Sequence, residues 1–139
     1  MTGPATAAPS APSAPATPAS PLSGPSGCRA REVLDLVAGK WSLAVVDTLG
    51  AGPMRFSELK RAIGGISQRM LTVTLRGLER DGILTRTVYA VMPPNVTYEL
   101  TTMGRTLLEA TRPVVQWSLE NIAAIDAARA EFDASAEPS

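Results

Sequence analysis

Three stretches of this 139-residue chain predict a mainly helical fold that carries a small β-hairpin. In Ser67 to Asp81, SQRMLTVTLRGLERD, the residues Leu71, Leu75 and Leu78 recur at spacings of four and three, so at 100° per residue they share one side of a helix. Arg55 to Ile66 places Leu59 and Ile63 four apart and then runs into Gly64-Gly65, which gives a shorter helix followed by a tight turn. Ile83 to Leu100 is rich in Val, Thr, Tyr and Ile around a break at Pro93-Pro94-Asn95, and Val96, Tyr98 and Leu100 alternate with Thr97 and Glu99. That alternation marks a half-buried strand, on which the first half of the stretch pairs back as a hairpin.

In chain order, Met1 to Gly27 is a Pro/Ala/Ser/Thr/Gly tract with no charge and seven of the twelve prolines. Too little apolar surface is available there to offset conformational entropy, so we expect a disordered tail, a passive extension or a binding segment. It lacks the basic start and apolar core of a signal peptide, and no apolar run approaches the roughly 20 residues of a membrane span. A soluble, cytoplasmic protein without membrane partners is expected. The ordered domain should run from Cys28 to Phe132, with a second disordered tail at 133–139. Arg31 to Ala38 predicts a first helix, with Val33, Leu34 and Val37 on its apolar side. Lys40 to Leu49 predicts a second, with Trp41, Ala44, Val45 and Thr48 on one stripe. Trp41 there is either a core aromatic or a ligand contact. Gly50 and Gly52-Pro53 then break the chain, and Ser57 is placed to cap the next helix.

Two short helices joined by a glycine turn form a helix-turn-helix whose second member reads DNA, and a hairpin after it forms a wing. The second helix fits that role. Ser67 suits its N-cap and Gly82 a left-handed C-terminal cap. Opposite the leucines, Arg69, Thr72, Arg76 and Arg80 fall within about 80° of one another. The other reading of such a face is a solvated basic surface. The fold class is therefore a winged helix-turn-helix, mainly α with a small β wing.

The chain resembles HxlR-type winged-helix regulators of bacteria through an ordered series of segments. These are Gly39-Lys40-Trp41-Ser42, Arg55-Phe56-Ser57-Glu58-Leu59, Ile66-Ser67, Leu71-Thr72, Leu75-Arg76, Leu78-Glu79 and Asp81-Gly82, continuing through Val88-Tyr89, Pro93-Pro94, Tyr98, Leu100-Thr101, Gly104 and Trp117. The resemblance spans Cys28 to about Trp117 and implies a homodimer bound to a double-stranded DNA operator, with the helix starting at Ser67 as recognition helix. Base-reading positions would be Gln68, Arg69, Thr72 and Arg76, and phosphate contacts Arg55, Ser67, Arg80 and Arg86. Family wings often carry a basic residue after the proline pair, where this chain has Asn95. Some regulators of this type use an N-terminal Cys to sense oxidants, quinones or aldehydes.

Charge and chemistry set limits. The formal net charge is zero, yet Cys28 to Gln116 holds twelve Lys/Arg against eight Asp/Glu, and the chain from Trp117 holds one Arg against five acids. A mildly basic body with an acidic end suits a DNA binder whose positive charge is local. With no His, one Cys and no glycine-rich phosphate loop after a strand, no catalytic constellation, metal site or cofactor is indicated. Cys28, between Gly27 and Arg29 with Arg31 close by, is either a thiolate sensor or a small structural residue. The last helix, Thr102 to Phe132, would be about 46 Å long at 1.5 Å per residue, against about 33 Å for a domain of this size. It should overhang its domain and, with the first helix, form a two-fold dimer seam at Val33, Val115, Leu119 and Ile122. Pro113 should kink it. The expected function is a repressor that answers an oxidant or electrophile through Cys28. The alternatives are a regulator controlled by a small non-thiol ligand at the seam, and a winged-helix protein–protein module.

Overall fold

The computed structural model describes residues 20–136; most of the expected N-terminal tail and the last residues of the expected C-terminal one lie outside them. The elements in order are α1 (Gly24–Val37), α2 (Lys40–Leu49), β1 (Met54–Arg55), α3 (Phe56–Ile63), α4 (Gln68–Arg80), β2 (Leu84–Tyr89), β3 (Asn95–Leu100) and α5 (Thr102–Ser135). The chain divides into two units, Met1–Asp35 and Leu36–Ser139. The first contributes Ser20–Asp35 to the description and carries most of α1.

The second unit is organised by the leucine face of α4. Leu71, Leu75 and Leu78 are all buried, and Thr74 joins them between the helix and its neighbours. Val45, Val46 and Leu49 from α2, Leu59 from α3, Ile66 from the turn and Ile83, Leu84, Leu100 and Leu108 beyond α4 complete one core. Side chains of this kind contribute about 1.5–3 kcal/mol each when fully buried. The buried stripe of α2 is Ser42, Val45, Val46 and Leu49, rotated from the expected one. Val46 and Leu49 outweigh Trp41 and Thr48, which stay at the margin. Trp41 packs against the core from there, as a core aromatic would, with Lys40 Nζ 4.8 Å from its ring centroid. Thr48 turns its hydroxyl to the Ala44 carbonyl at 2.7 Å.

Helix ends explain where each element stops. α3 begins at Phe56 rather than after Ser57, because the Glu58 carboxylate accepts the Arg55 backbone N–H at 2.9 Å and opens the helix two residues earlier. Gly64 and Gly65 both have positive φ, 69° and 72°, which a side chain would resist, and they make the turn into α4. At the start of α4, Ser67 Oγ accepts from the Met70 N–H at 3.0 Å. At its end Gly82 N–H donates to the Glu79 carbonyl at 3.0 Å and Ile83 N–H to the Leu78 carbonyl at 2.9 Å. With Gly82 at φ 76°, that pair of bonds is a Schellman cap.

The hairpin pairs β2 and β3 antiparallel from Leu84↔Leu100 to Tyr89↔Asn95. A third strand absent from the sequence reading, β1, pairs with the other edge of β3 through Met54↔Tyr98 and Arg55↔Thr97. Two residues are too few to leave a periodic signal. Two boundaries also moved. α1 begins at Gly24, seven residues before the expected start at Arg31 and inside the expected tail, because Pro25 is tolerated in a first turn. α5 runs on to Ser135, about 51 Å at 1.5 Å per residue, into the segment expected to be a tail. The helix is continuous through Pro113, where the missing N–H leaves the Glu109 carbonyl without its helical donor.

Thr101 starts α5 by accepting the Gly104 N–H on its hydroxyl at 3.0 Å, and its own N–H donates to the Ile83 carbonyl at 3.0 Å. A Cβ on Gly104 would collide with that same Ile83 carbonyl. Gly104→Ala should therefore cost about 1–3 kcal/mol in urea-induced unfolding, despite alanine's higher helix propensity. An unchanged unfolding midpoint would refute this packing.

Candidate nucleic-acid interface

The capping and packing just described decide which side of α4 meets solvent. With Leu71, Thr74, Leu75 and Leu78 turned inward, Gln68, Arg69, Thr72, Arg76 and Arg80 are all exposed. Thr72 donates its hydroxyl to the Gln68 carbonyl at 2.9 Å, so its oxygen lone pairs and methyl group remain available outward. Met70 and Val73 are exposed as well, at 40% and 54%. Val73 lies four residues after Arg69 and three before Arg76, within the same outward stripe. Sequence reasoning passed over it because an apolar residue beside leucines is assigned to the core by default. An exposed Val among Arg and Thr offers the apolar contact that a thymine methyl group takes.

The N-terminal end of α4 adds a second attraction. Ser67 satisfies the Met70 N–H, which leaves the Gln68 and Arg69 N–H groups without helical partners and the positive end of the helix dipole outward. The Ser67 hydroxyl proton is free to donate while its oxygen caps the helix.

Electrostatically the face is cationic and unneutralised. Among the described residues the one ion pair within 4.0 Å is Arg29–Glu32, so the guanidinium groups of Arg55, Arg69, Arg76, Arg80 and Arg86 have no carboxylate partner at that distance. Arg86 stands opposite Tyr98 in the hairpin, two residues from buried Leu84 and so on the same side of the sheet. It joins Thr72, Arg76, Glu79 and Tyr98 around a groove of about 490 Å³ between α4 and the hairpin. Sequence alone did not give Arg86 a direction, because that depends on the register of a hairpin whose loop length was open. Arg55 is exposed at the base of a second groove of about 580 Å³, shared with the hairpin loop from Val91 to Val96. Arg80 ends α4 a full helix length from Ser67. Glu79 is an acid that the sequence reading did not place at this face.

The other predicted positions lie apart from it. Cys28 is exposed and occupies the second turn of α1 rather than the residue ahead of the helix. Its neighbouring cations are engaged: Arg29 pairs with Glu32 at 2.6 Å, and Arg31 donates to the Leu22 carbonyl. On α5, Val115 is half-buried, while Leu119 and Ile122 are 60% and 51% exposed, and Val33 on α1 is 45% exposed. A cleft of about 470 Å³ between α2 and α5 is lined by Asp47, Arg112, Pro113, Val115, Gln116 and Leu119. Among the described residues no acidic, Cys or His cluster could hold a metal ion, and no helix is long and apolar enough to cross a membrane.

Known proteins share this arrangement. The HTH-type transcriptional regulator YtfH of Escherichia coli (strain K12) is 40% identical over 104 residues, 75% of this chain and 82% of the relative. The solved structure of the transcriptional regulator ytfH from Salmonella typhimurium matches with a TM-score of 0.67 and 38% identity, over 72% of this chain and 89% of that one. The redox regulator HypR in its reduced form matches with a TM-score of 0.65 and 38% identity, over 71% of this chain and 98% of HypR. Residues 36–126, from the last turn of α1 to the distal part of α5, fit the HxlR-like helix-turn-helix family as a whole, and the chain belongs to that family of transcriptional regulators.

Proposed function

We propose that this regulator binds its operator as a homodimer in the cytoplasm, acting without catalysis and repressing by occluding a promoter. The observation that carries the reading is the face of α4, where Arg side chains without an ion-pair partner, with Thr72 among them, project from a helix pinned by four buried residues. Gln68, Arg69, Thr72 and Arg76 are assigned to base edges, and Arg55, Ser67, Arg80 and Arg86 to phosphates. A protein–protein module built on the same fold has no need of this cationic row. Arg69→Ala and Arg76→Ala should each lose about 1–3 kcal/mol of operator binding and relax specificity at one base pair. Arg86→Ala and Arg55→Ala should weaken all sequences alike and flatten the salt dependence. Affinities measured at several fixed salt concentrations on operator and non-operator duplexes separate the two classes. Wild-type binding by both α4 variants would sink the assignment.

The dimer reading rests on the outer half of α5. The buried residues of that helix are Gly104 and Leu108, both early, while Val114, Trp117, Leu119, Ile122 and Phe132 are more than half exposed. Leaving such a row in water is costly, and a second copy of α5, with Val33 of α1, would cover it. Leu119→Asp with Ile122→Asp should convert the dimer to monomer in sedimentation velocity and abolish high-affinity operator binding. A variant that remains dimeric overturns this seam.

Redox control through Cys28 is the regulatory part of the proposal. Its support is an exposed, single thiol and the likeness to a protein described as a redox regulator. Two Cys28 thiols from different protomers would join as a disulfide, passing two electrons and two protons to the oxidant. Cys28→Ser should bind the operator normally and ignore diamide. The cleft between α2 and α5 favours a second reading, a small non-thiol effector held beside Asp47 and Arg112. If Cys28→Ser still releases DNA under diamide, redox sensing by this thiol is wrong.

A further inference from the structure

One column of side chains on α5 carries a charge pattern that returns with opposite sign when read from the other end. Arg105, Arg112, Leu119, Asp126 and Asp133 stand seven residues apart, so each lies two turns from the next with a drift of about 20° per step. All five are exposed. The four charges have no partner of opposite sign within 4.0 Å, since among the described residues the one such pair is Arg29–Glu32. Two cations thus lie toward the start of α5 and two carboxylates toward its end, with a leucine between them. The match to the family ends at residue 126, so Asp133 belongs to the stretch of α5 that continues past it.

We propose that this column is a self-recognition code, which seats a second copy of α5 antiparallel to the first with the two-fold axis at Leu119. In that register Arg112 meets the partner's Asp126 and Arg105 the partner's Asp133, and symmetry makes each pair twice. The inference rests on the dimer reading above and adds to it an orientation, a register and a basis for choosing the partner. A parallel pairing along the column would set Arg against Arg and Asp against Asp. A shallow left-handed supercoil absorbs the drift of the column, as it does where charges flank a seven-residue repeat. Another protein could use the column only by carrying acids and cations in the reverse order, and this chain supplies that order itself. The same register lays the partner's Ile122 and Ile125 along the stretch from Arg112 to Leu119, which removes apolar surface from water. Arg112 lines the cleft between α2 and α5, so the partner's Asp126 stands at the edge of that cleft. A regulator of the same fold whose last helix has another charge order is rejected by like-charge contacts.

The test is a charge reversal in the full chain, read as the dimer dissociation constant in sedimentation equilibrium. Arg112→Asp places Asp against Asp twice in each dimer and should weaken dimerisation about tenfold at low salt, with unchanged helical content. Adding Asp126→Arg to the same chain restores opposite charges and should bring the constant back to within about twofold of wild type. Residues 112 and 126 are about 21 Å apart along one helix, so such a rescue cannot arise within a chain. The effect of Arg112→Asp should fade at about 1 M salt, where the Debye length is about 3 Å, whereas a packing defect would persist. Arg105→Asp with and without Asp133→Arg repeats the comparison at the outer pair. An Arg112→Asp variant that dimerises like wild type, or a double variant no better than the single one, overturns the register. A wild type that stays monomeric at every concentration would instead sink the dimer reading, and the code with it.

Discussion

The backbone of Ile83 joins three elements at one point. Its N–H closes the cap of α4 on the Leu78 carbonyl, and its own carbonyl accepts the Thr101 N–H. The Thr101 hydroxyl donates toward the Gly82 and Ile83 carbonyls at 2.6 and 3.0 Å while accepting the first-turn N–H of Gly104. The following residue, Leu84, opens β2 opposite Leu100, the last residue of β3. The end of the reading helix, the root of the wing and the start of α5 are thus fixed within a few residues. Two glycines make this closeness feasible. Gly82 takes the left-handed turn, and Gly104 leaves room for the carbonyl. Around the junction Leu78, Leu84, Leu100 and Leu108 are buried, so the polar latch is shielded from competing water.

Given that frame, the distribution of charge decides what the surface does. A chain of zero formal charge presents a net cationic face because, Glu79 in the groove aside, most of its acids lie elsewhere. Glu58 caps α3, Glu32 pairs with Arg29, Asp81 lies at the end of α4, and five acids follow Trp117. Exposed cations more than a Debye length from these acids, about 8 Å at physiological ionic strength, keep most of their local field. The exposed surface then divides by chemistry. α4 supplies charge and hydrogen bonding, the hairpin root supplies two more cations, and the hairpin tip supplies only apolar surface and one carboxamide.

The fold was legible in the sequence wherever a periodic apolar pattern was long enough to select one structure. α2 has the predicted bounds, the leucine face of α4 is the predicted one, and the alternation from Val96 to Leu100 is a strand. The glycine turn and the caps at Ser67 and Gly82 follow from residue type alone. What escaped depended on contacts distant in sequence or on competition between neighbours. β1 exists only because β3 offers it an edge, and the stripe of α2 was settled by Val46 and Leu49 against Trp41. The start of α1 lies in a Pro/Ser/Gly segment that composition assigns to a tail. At the candidate interface the outward Arg and Thr positions were readable from helical phase. Val73 was not, since an apolar residue beside leucines is assigned to the core, and neither were Glu79 and the groove joining Arg76 to Arg86, which depend on where the hairpin lies against α4.

The latch at Ile83 also bears on how a regulator of this shape could be switched. Paired recognition helices must meet successive turns of the major groove, about 34 Å apart, so a small change in their separation is costly. α5 is the element through which the proposed seam would act, and its N-cap Thr101 binds the carbonyl of Ile83, whose N–H closes the cap of α4. A shift of α5 near Thr101 therefore cannot occur without moving the end of α4 or breaking a buried hydrogen bond. Farther along, Pro113 deprives the Glu109 carbonyl of its helical donor, which makes that turn the softest between the latch and the exposed apolar row. Displacements originating beyond Pro113 are partly absorbed there, and most of the α5 lining of the cleft, from Pro113 to Leu119, lies at or beyond that turn. An effector in that cleft would have a second route to α4 through α2, whose Asp47 lines the cleft and whose Val45, Val46 and Leu49 share one core with Leu71, Leu75 and Leu78.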